Sequence, residues 1–96
     1  MGMAKLSDAE VRTRLKDLPG WEVSSAGIRK TFTRRDFKDA MRFVNAVAEL
    51  AEEANHHPDI LLFGWNKVTL TLMTHSEKAI TEKDLALATR IEQTAH

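Results

Sequence analysis

Three histidines are the residues of this sequence best suited to chemistry. His56 and His57 stand side by side before Pro58, and His75 follows eighteen positions after the second of them. An imidazole gains or loses a proton near neutral pH, so two of them on opposite sides of a substrate can act as general acid and general base. A single histidine at the end of a helix or strand is more often a surface residue. Only convergence of the three on one pocket would make them a site.

A helix end is predicted at the histidine pair. Apolar residues recur at every third or fourth position in the helix predicted from Asp36 to about Asn55. The ring of Pro58 disfavours helical geometry at His57, so both histidines fall at the corner where this helix stops. The partial negative charge of a helix C-terminus favours a protonated imidazole, and Glu52 stands one helical turn before His56. The corner is therefore suited to proton donation.

Two predicted strands lead the third histidine back to the same corner. The run DILLFGW is predicted to be a strand with a bulge at Gly64, and VTLTLMTH alternates apolar and polar residues up to His75. Asn66 and Lys67 are predicted to form a two-residue turn between these strands. In such an antiparallel pair, the end of the second strand lies beside the start of the first, which directly follows Pro58. We therefore expect the three histidines to be neighbours.

The remaining elements complete an α+β domain. Ser7–Glu10 and Thr81–Asp84 each have the spacing of a capping box at a helix start, and residues 21–33 have the pattern of a β-hairpin. The element order is thus α-β-β-α-β-β-α. This order predicts one four-stranded antiparallel sheet with three helices packed on one face, as a single domain over residues 1–96. The other face of the sheet is expected to be available for pairing with another subunit.

Composition excludes several classes of function. Fourteen Lys and Arg residues balance fourteen Asp and Glu residues, which gives no indication of a nucleic-acid or anionic-membrane partner. The absence of cysteine excludes a disulfide framework, a thiolate nucleophile and a cysteine-based zinc site. No apolar run reaches the roughly eighteen residues of a membrane span, and the first ten residues lack the apolar core of a secretory signal. We expect a cytoplasmic protein without a membrane or nucleic-acid partner.

The spacing of the polar residues resembles the signature of the pterin-4a-carbinolamine dehydratases, also called dimerization cofactors of a homeodomain transcription factor. The positions concerned are Glu52, His56, His57, Pro58, Trp65, His75 and Asp84. The resemblance implies a carbon–oxygen lyase that dehydrates 4a-hydroxytetrahydropterin to quinonoid dihydropterin and so recycles the cofactor of aromatic amino acid hydroxylases. It implies no metal and no organic cofactor. It also implies a homo-oligomer, either a dimer or a dimer of dimers.

The resemblance further assigns roles to individual residues. His56 and His75 match the catalytic histidines of the family, and His57 is the third member of this set, with a supporting and substrate-binding role. The residues expected to bind the pterin are Glu52, Asn55, Pro58, Trp65, Met73, Thr74, Ser76, Lys83 and Asp84. Asn55 replaces an aspartate found in many members, and Trp65 replaces the commoner tyrosine. Which histidine is the acid and which the base stays open.

Other interpretations of the same residues remain. His56, His57 and His75 would be able to ligate zinc, although adjacent histidines are unusual among zinc motifs. Asp84 occupies the capping-box position, so it is equally expected to do nothing more than cap the last helix. A third alternative is a non-catalytic dimerization or regulatory module of the same fold. Such a module would bind its partner unchanged after the histidines were removed.

Overall fold

The predicted α+β architecture is confirmed by a computed structural model, which describes residues 5–95. Its elements are α1 (Asp8–Leu15), β1 (Glu22–Ser24), β2 (Gly27–Thr33), α2 (Phe37–Ala54), β3 (Asp59–Phe63), β4 (Lys67–Leu72) and α3 (Glu82–Ala95). The four strands form one antiparallel sheet in the order β1-β2-β4-β3, which makes β3 an edge strand. Within residues 5–95, none of the helices combines the length and the apolar character that crossing a membrane requires.

The core lies between one face of the sheet and the helices. The alternation predicted for β4 is confirmed, because Val68, Leu70 and Leu72 are fully buried while the threonines between them are not. Burial of each such side chain contributes about 1.5–3 kcal/mol to the hydrophobic free energy of folding. The helices close this core with Val11, Ala40, Phe43, Val47, Leu85, Leu87, Ala88 and Ile91, and Leu18 joins it from the segment after α1. The sheet and all three helices therefore share one hydrophobic core.

Lys30 is a charged residue on the core face of β2, and the structure shows how its charge is accommodated. Its ammonium lies 4.7 Å from the ring centroid of Phe32, which is a cation–π contact, and its aliphatic stem covers apolar surface. The same Nζ donates to the Pro19 carbonyl oxygen (2.8 Å) and pairs with the carboxylate of Glu92. Glu92 also accepts from Nε1 of Trp21 at 2.9 Å. The residue that interrupts the apolar pattern of β2 therefore forms a partly buried ion pair with Glu92.

The capping box predicted at the first helix is present. The hydroxyl of Ser7 accepts from the Glu10 N–H (3.1 Å), and the Glu10 carboxylate accepts from the Ser7 N–H (3.0 Å). Hydrogen bonds from the backbone N–H and from the side chain of Ser7 to the Glu10 carboxylate lower the pKa of Glu10, and the backbone bond has the larger effect. The helix ends at Leu15, two residues before the predicted end at Asp17, because the N–H of Asp17 donates to the carbonyl of Arg14 in a tighter turn.

The turn predicted at Asn66 and Lys67 was wrong. Three residues, Gly64 to Asn66, connect β3 to β4, and Phe63 pairs directly with Lys67. Gly64 (φ 55°) and Trp65 (φ 60°) are both left-handed, and this reverses the chain before Asn66. The glycine that indicated a bulge inside the strand therefore lies in the turn itself. A tryptophan is an unusual residue for that backbone conformation, which is why the sequence pattern did not predict it.

Candidate active site

The end of α2 determines where the two adjacent histidines point. Asn55 closes the helix in a left-handed conformation (φ 50°, ψ 43°), and its N–H donates to the carbonyls of Ala51 and Glu52. The N–H of His56 donates to the Ala51 carbonyl at 3.0 Å, which is the longer-range bond of a Schellman closure. Asparagine tolerates the left-handed region better than most residues. The helix therefore stops at Asn55, before the restriction from Pro58 acts.

His56 turns inward and contacts a buried carboxylate. Its Nε2 lies 2.5 Å from Oδ1 of Asp84, in the first turn of α3. The side chain of His56 is 10% exposed, and that of Asp84 is 0% exposed. A buried carboxylate needs charge-assisted hydrogen bonds to offset its lost hydration. The contact between the two helix ends is therefore electrostatic and almost completely shielded from solvent.

The second oxygen of Asp84 is held by two threonines. Oδ2 accepts from the backbone N–H of Thr81 (2.9 Å) and from the hydroxyl of Thr74 (3.0 Å). The two threonine hydroxyls lie 2.6 Å apart, and both residues are buried. Asp84 thus caps α3 with one oxygen and contacts His56 with the other, so the two interpretations of this residue are compatible. The role of Thr81 as a hydroxyl partner of Thr74 was not predicted.

His57 turns the opposite way, toward solvent. Its Nε2 contacts the carboxylate of Glu52, one turn back on α2, and these side chains are 60% and 75% exposed. Solvent screening keeps an exposed pair of this kind weak. The adjacent imidazoles therefore differ in environment, since His56 is fixed inside and His57 lies on the surface.

His75 does not end β4 as predicted. The strand ends at Leu72, and His75 begins the turn 75–78. Two backbone bonds between Thr74 and Ala79 (3.0 and 3.3 Å) close this turn and detach His75 from the sheet. Its side chain is exposed and makes no hydrogen bond to the described residues. The residue before it, Thr74, shares the carboxylate of Asp84 with His56, and this contact ties the turn to the end of α2.

Comparison with known proteins identifies the family. A sequence model described as pterin 4 alpha carbinolamine dehydratase matches residues 4–94. The chain belongs to this family. A protein of Thermomicrobium roseum, provisionally named a pterin-4-alpha-carbinolamine dehydratase, is 47% identical over 93 residues, which cover 97% of this chain and 99% of that one. A protein of the same provisional name from Roseiflexus sp. (strain RS-1) is 52% identical over 89 residues, covering 93% and 95% of the two chains.

Two solved structures are similar to this one. A transcriptional coactivator/pterin dehydratase from Brucella melitensis superposes with a TM-score of 0.91 at 33% identity, covering 97% of this chain and all of that one. A pterin dehydratase-like protein, described as a RuBisCO assembly factor in the alpha-carboxysome, gives a TM-score of 0.63 at 28% identity. That superposition covers 78% of this chain and 86% of the other chain. The fold is therefore shared by proteins with different stated roles.

Trp65 lies at the far end of β3 from the histidine pair. It lies in the turn after Phe63, whereas Asp59 at the other end of β3 follows the histidine pair directly. Five residues of extended strand span about 17 Å. The Trp65 side chain is 60% exposed. Within one chain, Trp65 is thus separated from the His56–Asp84 contact by the length of an edge strand.

The remaining predicted substrate-binding residues lie around the same corner at different depths. Pro58 and Met73 are half-buried, while Ser76 and Lys83 are exposed. An open hollow of about 570 Å³ runs along the exposed side of α2 and includes Glu52 in its lining. Within residues 5–95, no three imidazole or carboxylate side chains converge in a way that would hold a metal ion. The corner is therefore a set of polar groups open to solvent on one side.

Proposed function

We propose that this chain dehydrates a pterin-4a-carbinolamine to quinonoid dihydropterin and water by histidine acid–base catalysis, in the recycling of a tetrahydropterin cofactor. The single observation that carries this proposal is the contact of His56 with the buried carboxylate of Asp84. The family match over residues 4–94 supplies the class of substrate. No step of the proposed reaction requires a metal or an organic cofactor.

The reaction needs two proton transfers, and imidazoles supply both. The C4a–oxygen bond breaks, the departing hydroxyl takes a proton and leaves as water, and a ring nitrogen of the pterin loses a proton as the new double bond forms. A protonated imidazole can donate the first proton, and a neutral one can accept the second. Each positioned transfer contributes about 10²- to 10⁴-fold to the rate. Two histidines therefore suffice for the chemistry.

His56 is the histidine best prepared for such a transfer. Asp84 fixes the orientation of its ring and stabilises the positive charge that it carries when protonated, as carboxylates do for catalytic imidazoles elsewhere. His75, exposed in the turn after Thr74, is proposed as the second proton carrier. His57 with Glu52 is proposed to bind the substrate at the outer edge of the site.

We infer further that the chain forms a homo-oligomer. Leu61, Phe63 and Trp65 are exposed apolar residues on or beside the edge strand β3, and Phe37 and Met41 are exposed on α2. An uncovered edge strand and apolar patches of this kind mark association surfaces. Light scattering on the purified protein tests this inference, and a monomeric mass at micromolar concentration would contradict it.

A second candidate is a partner-binding module without turnover. The solved relatives favour it, because one is described as a transcriptional coactivator as well as a dehydratase, and another as an assembly factor. Such a module would keep its partner when the histidines are replaced. It would lose the partner when the exposed apolar residues of α2 are replaced.

The deciding experiment is a dehydratase assay on enzymatically generated 4a-carbinolamine, with His56→Ala and His75→Ala as test variants. We expect kcat to fall by about 10²- to 10⁴-fold in each. Gln93→Ala, on the exposed side of α3, is the control and should turn over like the wild type. Wild-type rates in both histidine variants would end the acid–base proposal. A wild-type protein without turnover would favour the binding module.

A further inference from the structure

The hydroxyls of Thr74 and Thr81 have only one consistent arrangement of protons. An ionised carboxylate accepts hydrogen bonds and donates none, so the contact between Thr74 and Oδ2 of Asp84 uses the Thr74 proton. A hydroxyl has one proton, so the 2.6 Å contact between the threonines must use the proton of Thr81. The Thr81 oxygen in turn accepts from the N–H of Lys83 at 3.3 Å. The chain of donors therefore runs from α3 toward the carboxylate.

This arrangement determines which nitrogen of His56 is protonated. Oδ2 of Asp84 already accepts two hydrogen bonds, so the remaining oxygen, Oδ1, faces Nε2 of His56. An ionised carboxylate has no proton to donate, so the hydrogen bond between Oδ1 and Nε2 must use a proton on Nε2. His56 is thus a donor to Asp84 through Nε2, and in its neutral form the ring has its free lone pair on Nδ1.

The Nδ1 atom of His56 is also the ring atom that a substrate can reach. It makes no hydrogen bond to the residues that the structure describes. Over the same residues, no buried side-chain nitrogen or oxygen lacks a partner. An unpaired Nδ1 therefore has to be in contact with solvent. The hydrogen bonds point one nitrogen inward and leave the other at the surface.

We propose that Thr74 and Thr81 are positioning residues that fix His56 in the Nε2–H form, so that Nδ1 is the atom that exchanges a proton with the substrate. The nature of that substrate rests on the proposed function, whereas the tautomer does not. The family resemblance places Thr74 among the substrate-binding residues. Thr74 is instead buried, and its single hydroxyl proton is donated to Asp84, which in turn orients His56.

The chain offers matched variants for testing this proposal. Thr74→Val removes the hydroxyl at nearly constant volume, and Thr74→Ser restores it. Thr69→Val is the control, because Thr69 forms another threonine pair, with Thr31 at 2.7 Å, on the opposite face of the sheet and far from any carboxylate of the site. Thr81→Ser tests whether the second hydroxyl suffices without its methyl group.

The first readout is the tautomer of His56 in the free, full-length protein. Long-range ¹H–¹⁵N correlation spectra distinguish the Nε2–H form from the Nδ1–H form, and loss of the signals in His56→Gln assigns them. We expect the Nε2–H form in the wild type, in Thr74→Ser and in Thr69→Val, and a mixture of both forms in Thr74→Val. A wild-type spectrum with the proton on Nδ1 would overturn the proposal without reference to activity.

The second readout is the division of the kinetic effect between kcat and KM. We expect Thr74→Val to lower kcat about tenfold with KM unchanged within a factor of two, and Thr74→Ser and Thr81→Ser to recover at least half of the wild-type kcat. A rise in KM at constant kcat would instead make Thr74 a binding residue and overturn its positioning role. A wild-type protein that shows the Nε2–H form but no turnover would overturn the proposed dehydration alone and uphold the positioning.

Discussion

His56 and Asp84 are separated by 28 positions in the chain, and their side chains meet with Nε2 of the ring 2.5 Å from Oδ1 of the carboxylate. His56 follows the C-terminus of α2, and Asp84 lies in the first turn of α3. The Asp84 carboxylate therefore lies at a helix end of opposite partial charge, and so does the imidazole of His56 whenever it is protonated. The contact joins the two longest helices of the described chain at their ends.

Asp84→Asn is expected to lower kcat by about 10²- to 10⁴-fold with a smaller effect on stability. The amide can still accept the hydrogen bond that caps α3, but its NH₂ group would face Nε2 of His56 and favour the other tautomer. The measurement is a steady-state dehydratase assay together with a urea unfolding curve.

Asp36→Asn is the matched control for that substitution. Asp36 caps α2 by accepting from the N–H of Asp39 at 2.8 Å, and it is exposed and remote from the histidines. Both variants exchange a capping carboxylate for an amide, but only Asp84→Asn also alters a buried contact with a histidine, so Asp36→Asn should lower stability less. Equal activities in the two variants would show that Asp84 is only a cap.

Asn55→Gly is expected to leave both stability and KM close to wild type, while Asn55→Ala destabilises the protein by about 1 kcal/mol. The residue has φ 50°, and glycine adopts that conformation without the steric cost that alanine meets. Urea unfolding and KM measured on the same samples distinguish this backbone role from the substrate-binding role that the family resemblance assigns. A large rise in KM for Asn55→Gly, at unchanged stability, would support the binding role.

The fold was predictable because its signals are local. The Ser7–Glu10 capping box, the alternation of Val68, Leu70 and Leu72, and the spacing of apolar residues on α2 each depend on a few neighbouring residues. The β3–β4 turn was not predictable in the same way. Tryptophan has no preference for the left-handed backbone conformation that Trp65 adopts, so the turn is identified only from the pairing of the strands on either side of it.

For the candidate site, the sequence predicts only which segments approach each other. Strand pairing brings Asp59 beside Thr71, so the ends of the histidine-bearing segments had to approach each other. The direction of each side chain depends on contacts remote in sequence. His56 points inward because Asp84 is there, and His75 leaves the strand because Thr74 turns toward the same carboxylate. Such choices are decided by tertiary hydrogen bonds, which spacing does not encode.

Lys30→Met is expected to destabilise the protein by about 1–3 kcal/mol, although methionine preserves the apolar stem over Phe32. The substitution removes a cation from the carboxylate of Glu92, which is only 15% exposed. Lys38→Met, at an exposed position on α2, is the control and should change stability by less than about 0.5 kcal/mol. Equal urea midpoints for the two variants would mean that the Lys30–Glu92 pair adds nothing to the core.

Glu82→Gln is expected to lower stability at pH 7 and to lose this effect in acid. The Arg14 guanidinium donates to both oxygens of Glu82 (2.6 and 2.7 Å), and these hydrogen bonds lower the pKa of Glu82 below its ordinary value of 4.5. A carboxyl whose pKa is lower in the folded than in the unfolded chain stabilises the fold above the unfolded value. That contribution disappears as the pH falls through the folded value.

The expected size of this effect is small, and its pH dependence is the decisive observation. The two side chains are 45% and 47% exposed, so screening by solvent limits the difference in unfolding free energy to about 0.2–1 kcal/mol at pH 7. Urea unfolding of wild type and variant at pH 7, 5, 4 and 3 should show the difference constant down to pH 5 and shrinking below about 4.5. Added salt at pH 7 should also reduce the difference in unfolding free energy between wild type and variant. A difference that does not shrink at all as the pH falls would have to arise from the packing of α1 on α3, because the contribution of the ion pair must decrease as Glu82 takes up a proton.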